Sequence, residues 1–292
     1  MNIKKVNFKK IKDIPLIDFI GIAVFFAILF FAMFFFLRRS EYVVITVKLT
    51  DHEEKYTPWI YSETPEWYLE NISPGLEEKD LLGRSNIKVE DLYYYPTLNT
   101  HHTVFLKLKI RTAFNRTTKQ YLYKGSPLLI GSYNEFTVAG MKIPAIVTQI
   151  GSDNTDTGSE KIVIKGYLDI RDSRGVFYPA ETSVEGIEKY IADKFVEGLK
   201  VYDSKGNVIT EILSVDKKQA YRQFIYQNSL VKVLDNNRVN VEFTAEISVK
   251  LINGRYFYRE EDPVFTSNIL GFSFEDFWVA GTITEVTEFK DQ

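Results

Sequence analysis

Val239-Asn240-Val241-Glu242-Phe243-Thr244-Ala245-Glu246-Ile247-Ser248-Val249-Lys250-Leu251 alternates apolar and polar side chains along its whole length. Successive strand residues point to opposite faces, so this period of two reads as one long strand with a buried and a solvated side. The alternation also occurs earlier, in Val104, Leu106, Leu108 and Ile110. These two stretches are one matched pair in a series.

Val43, Ile45, Val47 and Leu49 match Ile162, Ile164, Leu168 and Ile170. Glu66 to Asn71, then Gly75-Leu76 and Gly83, match Glu188 to Asp193, then Gly198-Leu199 and Gly206. Tyr121-Leu122-Tyr123 and Pro127 match Tyr256-Phe257-Tyr258 and Pro263. A shared order of this kind identifies an internal repeat. The spacing between matched residues widens along the unit, so the second copy carries insertions. Asn253-Gly254 between alternating runs marks a two-residue hairpin, and Asp203-Ser204-Lys205-Gly206 marks another turn. Thr182 with Glu185 has the capping-box pattern. Val184, Ile187, Ile191, Phe195 and Leu199 then follow at helical spacing and predict one short helix lying on the sheet. In the first copy Thr64 and Pro65 suit the cap and first turn of the equivalent helix.

Upstream, Phe19 to Leu37 is an uninterrupted apolar run rich in phenylalanine. With Ile14 to Ile17 it has the length of a membrane-crossing helix. Lys4, Lys5, Lys9, Lys10 and Lys12 precede it and Arg38 and Arg39 follow. That bias predicts a cytoplasmic N-terminus and an exported C-terminal body, held by an uncleaved signal anchor. The expected fold is mainly β: a single N-terminal transmembrane helix followed by two tandem antiparallel modules, sandwich or barrel-like, each with a short helix. The expected boundaries are a cytoplasmic tail at 1–13, the transmembrane helix at 14–37, module one at 42–150, a linker at 151–160 and module two at 161–292.

Seven of the 36 Lys and Arg residues and two of the 39 Asp and Glu residues precede Ser40, which leaves residues 40–292 with a formal net charge of −8. An acidic body argues against nucleic acid as partner. There is no cysteine, so disulfide, zinc-thiolate and cysteine-nucleophile chemistry are excluded. Adjacent His101 and His102 point to opposite faces of a strand, which disfavours a shared metal. Asp153 to Gly158 looks superficially like a calcium loop, but Thr155, Thr157 and Ile164 occupy the third, fifth and twelfth positions, where such a loop needs carboxylates. The sequence thus offers no catalytic, cofactor-binding or metal-binding residues. Tyr93, Tyr94, Tyr95, Trp59, Trp67 and Trp278 are the candidate contacts to a partner or a glycan, because flat aromatic faces suit both.

The Asp13 to Asp18 entry into the anchor, the segment Gly198 to Ile209 and the stretch Leu128-Leu129-Ile130-Gly131 resemble an uncharacterised family of bacterial single-span membrane proteins with a small exported β domain. That resemblance implies a cell-envelope location, and the family carries no assigned activity. The expected function is a membrane-anchored, non-enzymatic scaffold or adaptor at the outer surface of the cytoplasmic membrane. Its expected partners are the bilayer through residues 14–37 and either further copies of itself or another envelope protein. A glycan- or cell-wall-binding module and an enzyme with an unrecognised site stay open as alternatives.

Overall fold

The computed structural model describes residues 16–37, 41–50, 64–97, 101–151, 159–168, 182–227 and 229–288, with side chains described over 20–31 of the first segment. The 1–13 tail, Trp59, the Asp153 to Gly158 stretch and residues 152–158 of the linker lie outside the described residues. Two compact units are present: Met1–Tyr42 with Arg111–Leu128, and Val43–Ile110 with Leu129–Gln292.

The smaller unit holds helix α1 (Leu16–Leu37) and an antiparallel ribbon. All the described large apolar side chains of α1, from Ile20 to Phe31, are exposed. The ribbon follows from strands whose ranges are given next.

The second β module and most of the first fall in the larger unit. In the first, the elements in order are β1 (Glu41–Leu49), β2 (Thr64–Pro65), α2 (Glu66–Leu69), β3 (Glu77–Lys79), β4 (Ser85–Pro96), β5 (His101–Asn115), β6 (Gln120–Tyr123), β7 (Ser126–Pro127), β8 (Tyr133–Val138) and β9 (Met141–Ile150). The sheet runs β3-β4-β5-β1-β9-β8, with β2 added to β5. In it β8 approaches β3 and β4, so the sheet nearly closes into a barrel. Ile45, Val47, Val89, Leu106, Leu108, Phe136 and Ile143 fill its interior. The end of β5 pairs with β6, and β6 with β7, within the smaller unit.

In the second module the elements are β10 (Glu160–Leu168), β11 (Thr182–Val184), β12 (Ile187–Glu188), α3 (Lys189–Lys194), β13 (Lys200–Tyr202), β14 (Val208–Tyr226), β15 (Ser229–Ile252), β16 (Arg255–Tyr258), β17 (Asp262–Pro263), β18 (Ile269–Ser273) and β19 (Trp278–Glu288). The order β14-β15-β10-β19-β18, with β12 on β15, β13 on β14 and β16 between β15 and β17, repeats the first module strand for strand. The correspondence extends to single hydrogen bonds. Gly75 N donates to Val89 O as Gly198 N does to Ile212 O, both at 2.8 Å, and Gly131 N to Val147 O matches Ser267 N to Ile283 O, both at 2.7 Å. The register shifts at Thr46/Val47, Glu78/Lys79 and Val89/Asp91 recur at Lys165/Gly166, Val201/Tyr202 and Ile212/Ser214. A bulge re-aims the chain locally, so its retention in both copies preserves barrel curvature.

The insertion is a longer hairpin: β14 and β15 run 19 and 24 residues where β4 and β5 run 12 and 15. Asn253 and Gly254 both take positive φ, +50° and +76°, as the expected hairpin turn requires. The second core is aromatic, with Phe243 meeting Phe195 and Phe272 edge-on at 5.8 and 5.6 Å. Gly166 and Gly281 leave room for that ring, since a Cβ on either would come within 2.9 Å of it.

Two expectations are corrected. Among the described residues no helix is long and apolar enough to cross a membrane. The expected transmembrane helix at 14–37 therefore gives way to an apolar N-terminal helix, and the rest of the expected fold to two nearly closed β barrels. The second concerns α3, which spans only Lys189–Lys194 and has Glu188 at its cap. Thr182 to Val184 form β11 instead, paired to Arg222 to Phe224 of the longer hairpin, and strand pairing there displaces the capping box. In the first copy Pro65, not Thr64, stands at the cap of α2.

Gly186 has φ +71° and a Cβ there would lie 2.4 Å from Val239 O, whereas Gly198 has φ +84° with open space around it. Gly186→Ala is expected to lower the unfolding free energy by more than about 3 kcal/mol and Gly198→Ala by about 1–2 kcal/mol, measured by chemical denaturation.

Candidate functional site

The second module docks on the first through two turns. The first turn is Asp203 to Asn207, made rigid by its own aspartate: Oδ1 of Asp203 accepts from the amides of Lys205 at 2.9 Å and Asn207 at 2.8 Å. It presents Ser204 to the peptide of Tyr94. Ser204 N donates to Tyr94 O at 3.0 Å, and Tyr94 N donates back to Ser204 Oγ at 2.9 Å. Lys205 Nζ reaches Asp91 Oδ2 at 2.7 Å and lies over the Tyr93 ring.

The second turn, Arg259-Glu260, joins β16 to β17 with φ of +53° and +62°. Side-chain-bearing residues hold this left-handed backbone at a cost, and such cost is retained where surrounding contacts determine it. Here both side chains work. Arg259 donates to Pro96 O at 3.0 Å and to Asp262 Oδ2 at 2.8 and 3.2 Å. Burial opposes the Arg259 charge, but the Asp262 carboxylate outweighs it and raises the pKa. Glu260 accepts from the hydroxyls of Tyr95 at 3.2 Å and Tyr93 at 3.5 Å, and from Lys250 at 3.2 Å. Glu261 meets Lys48 and, at 3.5 Å, Thr103 Oγ1.

These contacts place the tyrosines that the sequence offers to a ligand. Tyr93 and Tyr95 share one face of β4 with rings 6.1 Å apart, Tyr93 stacked on Phe105 and Tyr95 edge-on to it, and Tyr95 also packs on the second core. Tyr94 faces the other way, 4.7 Å from His102. All three are half-buried inside the junction. Trp278 is half-buried with its ring against Gly271. Trp67 is exposed, and Trp59 lies outside the described residues. The sequence reading missed Ser204, Lys205, Arg259 and Glu260; two of them lie in the marked Asp203 turn, but no local signal pairs that turn with a strand more than a hundred residues away.

The repeat gives the docking surface of the first module a counterpart on the second. Lys48, Asp91, Tyr93, Tyr95 and Thr103 correspond in strand position to Tyr167, Ser214, Asp216, Lys218 and Asn240. All five of these counterparts line an open cavity of about 760 Å³. Leu168, Val215, Val241 and Phe243 are among its apolar lining, with Lys165, Asp216, Lys218 and Glu242 contributing charge. Lys218 bonds Glu242 at 2.7 Å and pairs with Asp216 at 3.2 Å; the Glu242 bond, with Asp216 adding to it, raises its pKa. At one side, burial disfavours the Glu185 carboxylate, but bonds from Lys232 at 3.1 Å and Asn240 at 3.3 Å outweigh this and hold it below the usual range. The charges are thus paired off locally, an arrangement suited to a binding rim.

Among the described residues no group of three His, Asp or Glu side chains is placed to hold a metal ion. No family model, curated protein or solved structure matches this chain.

Removing the Arg259 guanidinium leaves Asp262 and the Pro96 carbonyl without their donor, so Arg259→Ala is expected to destabilise the protein by about 2–4 kcal/mol in denaturant unfolding. His102, its ring tilted against Tyr94, has a buried Nδ1 with no hydrogen-bond partner, and burial lowers its pKa from 6.5 against an opposing pull from Glu66. A folded pKa below the unfolded value means that unfolding takes up a proton, so this contribution is present above pH 6.5 and lost as pH falls through the folded pKa. His102→Gln is expected to flatten the fall of stability below pH 6.5, measured by denaturation at a series of pH values.

Proposed function

We propose that this chain is a non-enzymatic scaffold or adaptor of the cell envelope, working through protein–protein contacts at the outer surface of the cytoplasmic membrane. One observation carries the reading: the surface of the first module that receives another β module has an unfilled counterpart on the second. A protein whose modules are shaped to accept modules has the means to hold partners. Helix α1 supports the location, because a helix apolar on every described side calls for apolar surroundings, whether lipid or the helices of a partner. The resemblance to the bacterial family with a small exported β domain belongs to the same proposal.

A second reading, a glycan- or cell-wall-binding module, draws on Trp67 and Tyr190. They occupy the same position in the two copies, on α2 and α3, and both are exposed, at 66% and 69%. Retention on cell-wall polymer that disappears in a Trp67→Ala, Tyr190→Ala double variant would favour it.

The scaffold reading is tested by extracting the full-length protein from its native membrane in mild detergent and measuring the mass and composition of the particle. A particle heavier than the 33.9 kDa chain is expected, and Ser214→Arg, at the exposed mouth of the cavity, is expected to reduce it. A clean monomer in the unaltered protein contradicts the scaffold reading.

A further inference from the structure

The turn that enters the first module has its own counterpart in the repeat. Asp80 to Arg84 has the build of Asp203 to Asn207: Asp80 N donates to Arg84 O at 2.8 Å, Gly83 N to Asp80 O at 2.9 Å, and Asp80 Oδ1 accepts from the amides of Leu82 and Arg84, each at 2.9 Å. The Arg84 amide, opposed by desolvation, holds the Asp80 carboxylate below its usual range. One difference stands out. Where the docked turn carries Ser204 and Lys205, this one carries Leu81 and Leu82, 106% and 67% exposed. Large apolar side chains at the tip of a charged turn are uncommon without a partner to cover them.

We infer that the Asp80–Arg84 turn of one chain docks in the open cavity of the second module of another copy, so that chains associate head to tail. The inference rests on the scaffold reading and names its partner. The two sides have changed together relative to the filled junction. There, Lys205 meets Asp91; at the corresponding positions here, Leu82 meets Ser214, and neither side brings an unmatched charge. Leu81 takes the place of Ser204, with its amide directed to the carbonyl of Lys217, the counterpart of Tyr94. Its side chain and that of Leu82 lie toward the apolar lining that includes Val215 and Phe243.

The long hairpin fits the same arrangement. In the first module the β4–β5 hairpin runs past the docking surface and carries Tyr95 onto the second core. In the second module β14 and β15 leave the cavity wall and continue further, exposing Tyr226, Leu230, Val233 and Leu234. A docked second copy would cover them. Because the joined surfaces differ, the contact is heterologous, and it closes a ring or extends a filament according to the rotation per step.

The test exploits the absence of cysteine from the chain. Full-length Leu81→Cys and Lys217→Cys chains, tagged to differ in size, are mixed and mildly oxidised. In the filled junction the Ser204 amide donates to the Tyr94 carbonyl and the Tyr94 amide to the Ser204 hydroxyl, an approach that suits a disulfide between the corresponding positions. The expected result is a mixed disulfide dimer several-fold in excess of either same-variant dimer, lost when Leu82→Asp is added to the first chain. Both altered positions are exposed, and matching circular dichroism of the variants checks that they fold. No disulfide, or mixed and same-variant dimers in the 2:1:1 ratio of random pairing, overturns the inference. If the extracted particle nonetheless exceeds one chain, the scaffold reading stands with a different partner in the cavity; if it is a monomer, both fall.

Discussion

The reciprocal hydrogen bonds between Ser204 and the peptide of Tyr94 organise the larger unit, because they join two barrels that each complete their own core. Without this junction the modules would be two domains on a polar linker, free to move as weakly interfaced domains do. With it, Tyr95 extends into the second module's hydrophobic cluster, and the Arg259, Glu260 and Glu261 side chains hold the end of β4 from the other direction. The left-handed backbone at Arg259 and Glu260 is the local cost of placing those side chains. The sequence could have used an easier Asn-Gly turn, as it does at Asn253-Gly254; the choice of Arg-Glu makes sense only because both residues reach across.

Duplication turns that single contact into a rule with a consequence at the other end of the molecule. Matched strands, bulges and backbone bonds place the cavity of the second module where the first module is filled. The two copies have diverged where they meet different neighbours. The Tyr93, Tyr95 and Phe105 cluster of the junction becomes Asp216, Lys218 and Glu242 at the open cavity, and the Ser204-Lys205 tip becomes Leu81-Leu82. Barrel interiors, by contrast, keep the same apolar alternation in both copies.

Much of this was legible in the sequence wherever the physics is local. Alternation located β1, β5, β10 and β15, glycine and asparagine located the turns, and spacing between matched residues exposed the repeat and its insertion. What failed was decided at a distance. Val184, Ile187, Ile191, Phe195 and Leu199 have helical spacing, yet the longer hairpin recruits Thr182 to Val184 as a strand and shortens the helix. The tyrosines at 93–95 were read as free aromatic faces because strand geometry leaves one side open, and the sequence does not say that a second module covers it. Gly166 and Gly281 gave no signal as the slot for the Phe243 ring, since the close approach comes from three separate strands. The apolar stretch near the N-terminus does form a helix, α1, but among the described residues no helix is long and apolar enough to cross a membrane.

The most direct test of the account is amide hydrogen exchange at Ser204 in the dissociated full-length chain, compared with its counterpart Leu81. A docked Ser204 amide should exchange slowly, with protection close to that of the second core, while the Leu81 amide exchanges at the rate of an open turn. Ser204 exchanging as fast as Leu81 would contradict the account, because the junction that defines the socket would then not be held in solution.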